Sequence, residues 1–186
     1  MQPRLLFTLC CAVFAMSLPA QSLDLKPFKN IKPRNIGPSG MSGRITAIDV
    51  VQSEPDHIYV GSASGGVWKS ESGGITWTPI FDDQAIQSIG AIAINQSNPS
   101  DIWVGTGEGN PRNSQNFGLG IFRSLDAGKT WKNMGLKETK TIHRIIIHRD
   151  NPNVVFAGAQ GSAYGPNDER GVYRTKDGGK NWERIL

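Results

Sequence analysis

Short apolar runs, interrupted every few residues by glycine, proline or Asx, set the rhythm of this chain. Three runs open three similar units: Ile45-Thr46-Ala47-Ile48-Asp49-Val50, Ile89-Gly90-Ala91-Ile92-Ala93-Ile94 and Ile142-His143-Arg144-Ile145-Ile146-Ile147. Period-two alternation predicts strands with one buried face, and near-continuous apolarity predicts strands covered on both. A turn signal follows each run, at Ser53-Glu54-Pro55-Asp56, Ser97-Asn98-Pro99-Ser100 and Asp150-Asn151-Pro152-Asn153, where proline and Asx residues fix the bend. Second strands are predicted over 58–61, 102–105 and 154–158. Third strands share the order glycine, aliphatic, aromatic, basic: Gly66-Val67-Trp68-Lys69, Gly120-Ile121-Phe122-Arg123 and Gly171-Val172-Tyr173-Arg174. No segment shows helical periodicity.

The units are in register. Ten positions separate the first isoleucine from the turn proline in each (45 to 55, 89 to 99, 142 to 152), and six separate that proline from the second-strand glycine (61, 105, 158). Eleven separate the third-strand glycine from a tryptophan (66 to 77, 120 to 131, 171 to 182). Only the link between the second and third strands varies: five positions (61 to 66), then fifteen (105 to 120), then thirteen (158 to 171).

Each third strand runs into the same turn. Ser124-Leu125-Asp126-Ala127-Gly128-Lys129-Thr130-Trp131 and Thr175-Lys176-Asp177-Gly178-Gly179-Lys180-Asn181-Trp182 share the pattern Ser/Thr-x-Asp-x-Gly-x-Thr/Asn-Trp. The first copy, Ser70-Glu71-Ser72-Gly73-Gly74-Ile75-Thr76-Trp77, has serine where the others have aspartate. Asp126 and Asp177 are suited to accept backbone amides, Gly128 and Gly179 to take positive φ, and Trp131 and Trp182 to fill the space between adjacent sheets. These residues are therefore expected to be structural, with Ser70, Gly74, Trp77, Ser124, Thr130, Thr175, Asn181 and the first-copy Ser72 in supporting roles. Four antiparallel strands per repeat and a period of about 50 residues define the fold class. It is all-β: a partial β-propeller of about three four-stranded antiparallel blades belonging to a larger ring.

Composition narrows the setting. A net charge of +4 is spread over 20 Lys and Arg without a block, so no nucleic-acid stripe is expected. Arg4, an apolar run to Leu18 and a small residue at Ala20 read as a signal peptide over residues 1–20, too short for a comfortable membrane span. Its removal would take away Cys10 and Cys11, the chain's 2 cysteines, leaving an exported protein that holds together by packing alone. Residues 21–38 are then a lead-in segment, and residues 39–186 the blades. A closed ring needs at least four blades. The expectation is accordingly a fragment whose ring is completed by further sequence, with closure by oligomerisation as the rival.

The repeated turn resembles the Asp-box, or BNR, repeat. Propellers built from it include sialidases, oligoxyloglucan-acting glycosidases, a photosystem II assembly factor and sortilin-type sorting receptors. Arg34-Asn35-Ile36-Gly37-Pro38, Gly43-Arg44, Gly65-Gly66-Val67-Trp68-Lys69-Ser70, Gly105-Thr106-Gly107-Glu108 and Tyr164-Gly165-Pro166-Asn167-Asp168-Glu169-Arg170-Gly171 are similar to the N-terminal part of large exported bacterial sortilin-like proteins. Sialidase activity is not implied, because the early arginine motif of those enzymes is missing. The glycosidase signature is also incomplete: Ser62-Ala63-Ser64-Gly65-Gly66 lacks the carboxylate that precedes the paired glycines there, and glycoside hydrolysis needs two carboxylates.

No catalytic residue, metal site or cofactor is assigned. His57, His143 and His148 lack metal-ligand spacing, and Pro111 interrupts any helix that would make Gly105-x-Gly107-x-Gly109 a phosphate loop. Because rigid scaffolds place recognition on their divergent loops, binding is expected on the variable links, at Glu108, Arg112, Asn113, Tyr164 and Arg170. Asp49 and the Asp168-Glu169 pair are the other acids in suggestive places. The functional expectation is an exported, non-catalytic propeller that binds an unknown protein, peptide or polysaccharide. The alternative is the N-terminal fragment of a propeller glycoside hydrolase whose catalytic residues lie mostly downstream.

Overall fold

A computed structural model describes residues 43–110 and 115–186. The signal-peptide and lead-in segments, Arg112 and Asn113 lie outside the described residues. Among the described residues, twelve strands form three four-stranded antiparallel sheets, each a meander in chain order. The first blade holds β1 (Ile45–Val50), β2 (Ile58–Ser62), β3 (Val67–Ser70) and β4 (Thr78–Pro79). The second holds β5 (Ile89–Ile94), β6 (Ile102–Thr106), β7 (Ile121–Ser124) and β8 (Lys132–Asn133). The third holds β9 (Ile142–Ile147), β10 (Val155–Ala159), β11 (Gly171–Thr175) and β12 (Glu183–Arg184). The first strands of all three units lie where the alternation predicts them. Among the described residues, the one departure from strands and turns is a 3-10 turn, Lys137–Thr139, between the second and third blades.

β1 lies beside β5, and β5 beside β9, so the first strands form the inner layer and the two-residue fourth strands the outer edge. Very short outer strands offer little template for unwanted strand pairing. Two apolar cores fill the spaces between blades. One joins Tyr59, Val67 and Phe81 of the first blade to Ile92, Val104 and Phe122 of the second. The other joins Ala93, Trp103 and Ile121 of the second to Ile145, Ala157 and Tyr173 of the third. Cross-strand register explains the sorting. Ile92, Val104 and Phe122 are paired neighbours on one face of their sheet, while Ala93, Trp103 and Arg123 are neighbours on the other. Every residue of β5 is consequently buried, because the middle blade is covered on both sides.

In the first two blades the glycine six positions after the turn proline now has a reason. Gly105 faces Ile142 so closely that an added Cβ would stand 2.6 Å from its Cγ2, and Gly61 faces Ile89 in the same way. The missing side chain in one blade is a socket for the first isoleucine of the next. Ile89 and Ile142 are both 0% exposed. Hydrogen bonds reinforce the first seam. Thr46 Oγ1 donates to Ile89 O at 2.6 Å, Asp49 Oδ2 accepts from Ile94 N at 2.8 Å, and Gln96 exchanges bonds with the backbone of Gln52 and Val50. Asp49, one of the suggestive acids, is thus part of the blade-to-blade seam.

Candidate functional site

One rim of the molecule is built by the three Asp-box turns. In each, the hydroxyl that ends the third strand accepts the amide four residues on: Gly74 N to Ser70 Oγ at 2.8 Å, Gly128 N to Ser124 Oγ at 2.8 Å, and Gly179 N to Thr175 Oγ1 at 2.9 Å. The two residues at the bend have φ of 62 and 91 (Gly73, Gly74), 58 and 91 (Ala127, Gly128), and 71 and 90 (Gly178, Gly179). Two successive positive φ values make the primed turn that matches the twist of the flanking strands. Each turn is also clipped to the first turn of its own blade: Gly73 N donates to Asp56 O, Ala127 N to Ser100 O and Gly178 N to Asn153 O. Both sets of constant-length turns therefore share this rim.

The carboxylates sit inside these turns. Asp126 accepts from Thr130 Oγ1 at 2.6 Å, from Thr130 N at 2.8 Å and from Ser124 Oγ at 2.7 Å. Asp177 accepts from Asn181 Nδ2 at 2.7 Å, from Asn181 N at 3.0 Å and from Thr175 Oγ1 at 2.8 Å. Hydrogen bonds to the charged form hold both pKa values down to about 2, those from Thr130 and Asn181 contributing most. A carboxylate so thoroughly satisfied is a turn staple and a poor proton donor. The tryptophans dock on the preceding blade, where Trp131 Nε1 donates to Ile80 O at 2.7 Å and Trp182 Nε1 to Met134 O at 2.8 Å. Trp182 meets Trp103 edge to face, and Trp131 meets Phe81 likewise. Arg123 adds a further bond, lying 4.7 Å over the Trp103 ring and gripping buried Asp101 while Nη1 donates to Gly178 O of the next blade.

The opposite rim carries the three variable links. The short one, between β2 and β3, is closed on itself by Ser62 N to Gly66 O. The second, between β6 and β7, is described at both its ends. Thr106 Oγ1 donates to Gly120 O and accepts from Leu119 N, while Gly118 N reaches Lys140 O across the blade boundary. Glu108, the leading acid of the sequence reading, is 3% exposed and ion-paired with Arg44 of the first blade. Its own backbone is fixed by Asn116 O and by Gln115 Nε2. Asn116 in turn bonds Ser64 Oγ, so the links of the first two blades are joined there. His143, at the start of β9, packs against Gly109.

The third link is held by its own side chains. Arg170 Nε donates to Gln160 O at 2.9 Å and Nη2 to Ser162 O at 2.8 Å, so this arginine braces the link across its base. Asn167 Oδ1 accepts from Glu169 N, and Tyr173 OH donates to Glu169 O. Burial is the main reason the Tyr173 hydroxyl is pushed above its ordinary pKa, with Glu169 adding to it. Tyr164 stands 60% exposed at the tip, and Phe117 of the second link is 43% exposed with Lys140 Nζ over its ring. Of the sequence-derived binding residues, then, Glu108 is enclosed, Arg170 is a brace and Tyr164 faces solvent. Arg44 and Lys140 were not assigned from the sequence, because only folding brings them to residues 64 and 23 positions away in the chain (44 to 108, 117 to 140). Among the described residues, no cluster of His, Cys, Asp and Glu has the makings of a metal site. Among the described residues, no helix is long and apolar enough to cross a membrane.

Solved structures with the same fold include an ancestral GH74 enzyme, 23% identical with a TM-score of 0.60, matched over 77% of this chain and 18% of its own. A GH74 xyloglucanase from Xanthomonas campestris is 18% identical with a TM-score of 0.56, over 77% of this chain and 21% of its own. YCF48 from Cyanidioschyzon merolae is 22% identical with a TM-score of 0.53, over 80% of this chain and 39% of its own. The chain thus spans about a fifth of the GH74 structures and two fifths of YCF48. These likenesses establish the propeller fold. No curated protein matches the chain by sequence. The family model described as sortilin, neurotensin receptor 3 (Sortilin-Vps10) matches residues 65–186, well over half of the chain and all of the blade sequence from the third strand onward, so the chain belongs to that sortilin-type family.

Proposed function

We propose that this chain is an exported, non-catalytic propeller module that binds a protein, peptide or polysaccharide on the rim of its variable links. The observation that carries the reading is the contrast between rims. On one, three turns of identical length repeat one hydrogen-bond set; on the other, links of different length expose Phe117 and Tyr164. Exposed aromatic rings beside amides suit either a peptide or a sugar. Among proteins of this fold, one neighbour is YCF48 bound to D1 peptide (16% identical, TM-score 0.51), which supports a peptide; the GH74 xyloglucanase supports a glucan. The ion pair of buried Glu108 with Arg44 supports reading this acid as a tie between the first two blades. Export rests on the apolar segment of residues 1–20.

Binding of the chain to immobilised xyloglucan and to a peptide array tests this. A Phe117→Ser/Tyr164→Ser variant should lose at least about tenfold in affinity, as expected when aromatic contacts are truncated. An Ile75→Ser/Leu125→Ser variant, altered at exposed residues of the Asp-box rim, should bind as well as the parent. The reverse pattern would reject the assignment of the rim. Release of reducing ends from xyloglucan by a chain extended downstream, abolished by substituting a downstream carboxylate, would instead favour the alternative, the N-terminal fragment of a propeller glycoside hydrolase whose catalytic residues lie mostly downstream.

A further inference from the structure

The connections between blades meet the variable links on one rim, where Gly66 N donates to Gln87 O and Gly118 N to Lys140 O. Gln87 and Lys140 each stand two residues before the first-strand isoleucine of the next blade. The Gln87 side chain is used up within its own connection, Nε2 donating to Phe81 O at 3.1 Å and to Gln84 O at 3.1 Å. Lys140 is exposed, and its Nζ lies 5.3 Å from the centroid of the Phe117 ring. Among the described residues, no ion pair includes that ammonium. Lys137 and Glu138 of the same turn are both exposed and offset each other, which leaves Lys140 as the local excess of positive charge.

Holding Lys140 there works against the backbone. Its φ of 57 lies in the left-handed region that side chains disfavour, and Leu136, at the other end of the 3-10 turn, has φ 56. Gln87 is not left-handed. The bond from Gly118 enforces the conformation, and Gly107 passes so near that an added Cβ would collide with the same Lys140 oxygen. Behind it, Thr141 is 0% exposed and its Oγ1 has no hydrogen-bond partner among the described residues, whereas its counterpart Ser88 donates to Asn116 O at 3.2 Å. Left-handed side chains and orphaned hydroxyls lower stability, and they persist where the arrangement serves something else.

What the strained turn presents is an ammonium on a fixed apolar footing. Phe117 is 43% and Leu119 40% exposed, on either side of the Gly118 that bonds Lys140 O. Leu119 is pinned at both its backbone groups, by Thr106 Oγ1 and Asn133 Nδ2. Both side chains belong to the link of the middle blade, which has a described blade on each side.

We infer that Lys140, Phe117 and Leu119 form a subsite for a peptide that carries an aspartate or glutamate side chain beside a large apolar one. The inference rests on the assignment of ligand binding to the rim of the variable links and adds the chemistry of the ligand. The ammonium is the partner for the carboxylate, and the cation–π contact keeps that charge on the apolar surface. A peptide suits this footing better than a sugar acid. One face of the Phe117 ring is already taken by Lys140, and Leu119 offers an aliphatic contact that matches an apolar side chain.

Equilibrium binding of fluorescent peptides to the full-length protein tests this. The first peptide alternates glutamate with leucine, and the second replaces each glutamate by glutamine. Both are blocked at their termini, so that side chains supply the only carboxylates. The parent should prefer the glutamate peptide by about tenfold or more, as a charge-assisted contact implies. That preference should shrink as salt is raised. Lys140→Met keeps the aliphatic stem and removes the charge, so it should bind both peptides alike, while Lys140→Arg should keep the preference. Circular dichroism checks that both variants are folded. Equal affinity of the parent for the two peptides, no binding of either, or a preference that survives Lys140→Met would each overturn the inference. So would polygalacturonate binding more tightly than the glutamate peptide and losing its hold in Lys140→Met, which would assign the subsite to a sugar acid. Binding that depends on Phe117 and Tyr164 but ignores the charge of Lys140 would sink the acidic specificity and leave the rim assignment standing. Binding that ignores Phe117 and Tyr164 would sink the rim assignment and this inference with it.

Discussion

The Asp-box of the first blade and those of the second and third have nearly the same sequence and turn geometry, yet different tryptophans. Ser70, Ser124 and Thr175 cap their turns with the same bond at 2.8 to 2.9 Å, and Ser72 Oγ accepts Thr76 N at 2.9 Å in place of the aspartate. The turn itself is thus a local property, set by hydroxyl, glycine and chain reversal. Trp77 is identical in type to Trp131 and Trp182 but bonds back to its own loop. Among the described residues, the tryptophan becomes a strut where a blade stands before it. The same motif is a self-contained turn in one place and an interblade strut in two others.

Removing the struts should break this comparison most visibly. Trp131→Ala deletes a ring packed edge to face on Phe81 and its bond to Ile80 O, and should cost about 3–4 kcal/mol. Trp77→Ala in dilute solution should cost about 1 kcal/mol or less, as at most surface positions. Urea unfolding of the two variants side by side checks the difference, and equal losses would refute the distinction between strut and turn.

The glycine sockets offer a second contrast. Gly105→Ala drives a Cβ into Ile142 and should destabilise by about 2–3 kcal/mol, whereas Gly158→Ala meets only ordinary contact and should leave the dilute chain within about 0.5 kcal/mol of the parent. Thermal unfolding reads both.

Acid sharpens the comparison between turns. The carboxyls of Asp126 and Asp177 titrate at about 2 in the fold against a reference of 3.8, so they stabilise it above the higher value. That contribution drains away as pH falls from 3.8 toward 2, because the unfolded chain takes up protons first. Asp126→Asn/Asp177→Asn should flatten the acid limb of a stability–pH profile. Ser72→Asp should deepen it by adding a third titrating box beside Thr76. An unchanged limb in both variants would remove the aspartates from the acid response.

The smallest effect is at Ala127, whose φ of 58 falls where the other turns have Gly73 and Gly178. Ala127→Gly relieves left-handed strain and should gain about 0.5–1 kcal/mol, visible as a small rise in melting temperature.

Much of this architecture could be read from the chain. Period-two runs and constant intervals placed the first strands at Ile45–Val50, Ile89–Ile94 and Ile142–Ile147, and the repeated hydroxyl-Asx-glycine pattern placed the turns. These are local signals, carried by residues a few positions apart. The candidate site was less legible. Glu108 was expected among the binding residues of a variable link, and its ion pair is made with Arg44 from another blade. Arg170 was expected among the binding residues too, and the fold shows its Nε and Nη2 donating to carbonyls of its own link.

By itself, then, the sequence determined the unit: four strands and a glycine turn with a hydroxyl at its start. Those features follow from backbone torsion, side-chain alternation and hydrogen bonds within a few residues. Only the tertiary structure decided which isoleucine is buried, which tryptophan becomes a strut and which carboxylate is enclosed, because each outcome depends on a neighbouring blade supplying the other surface.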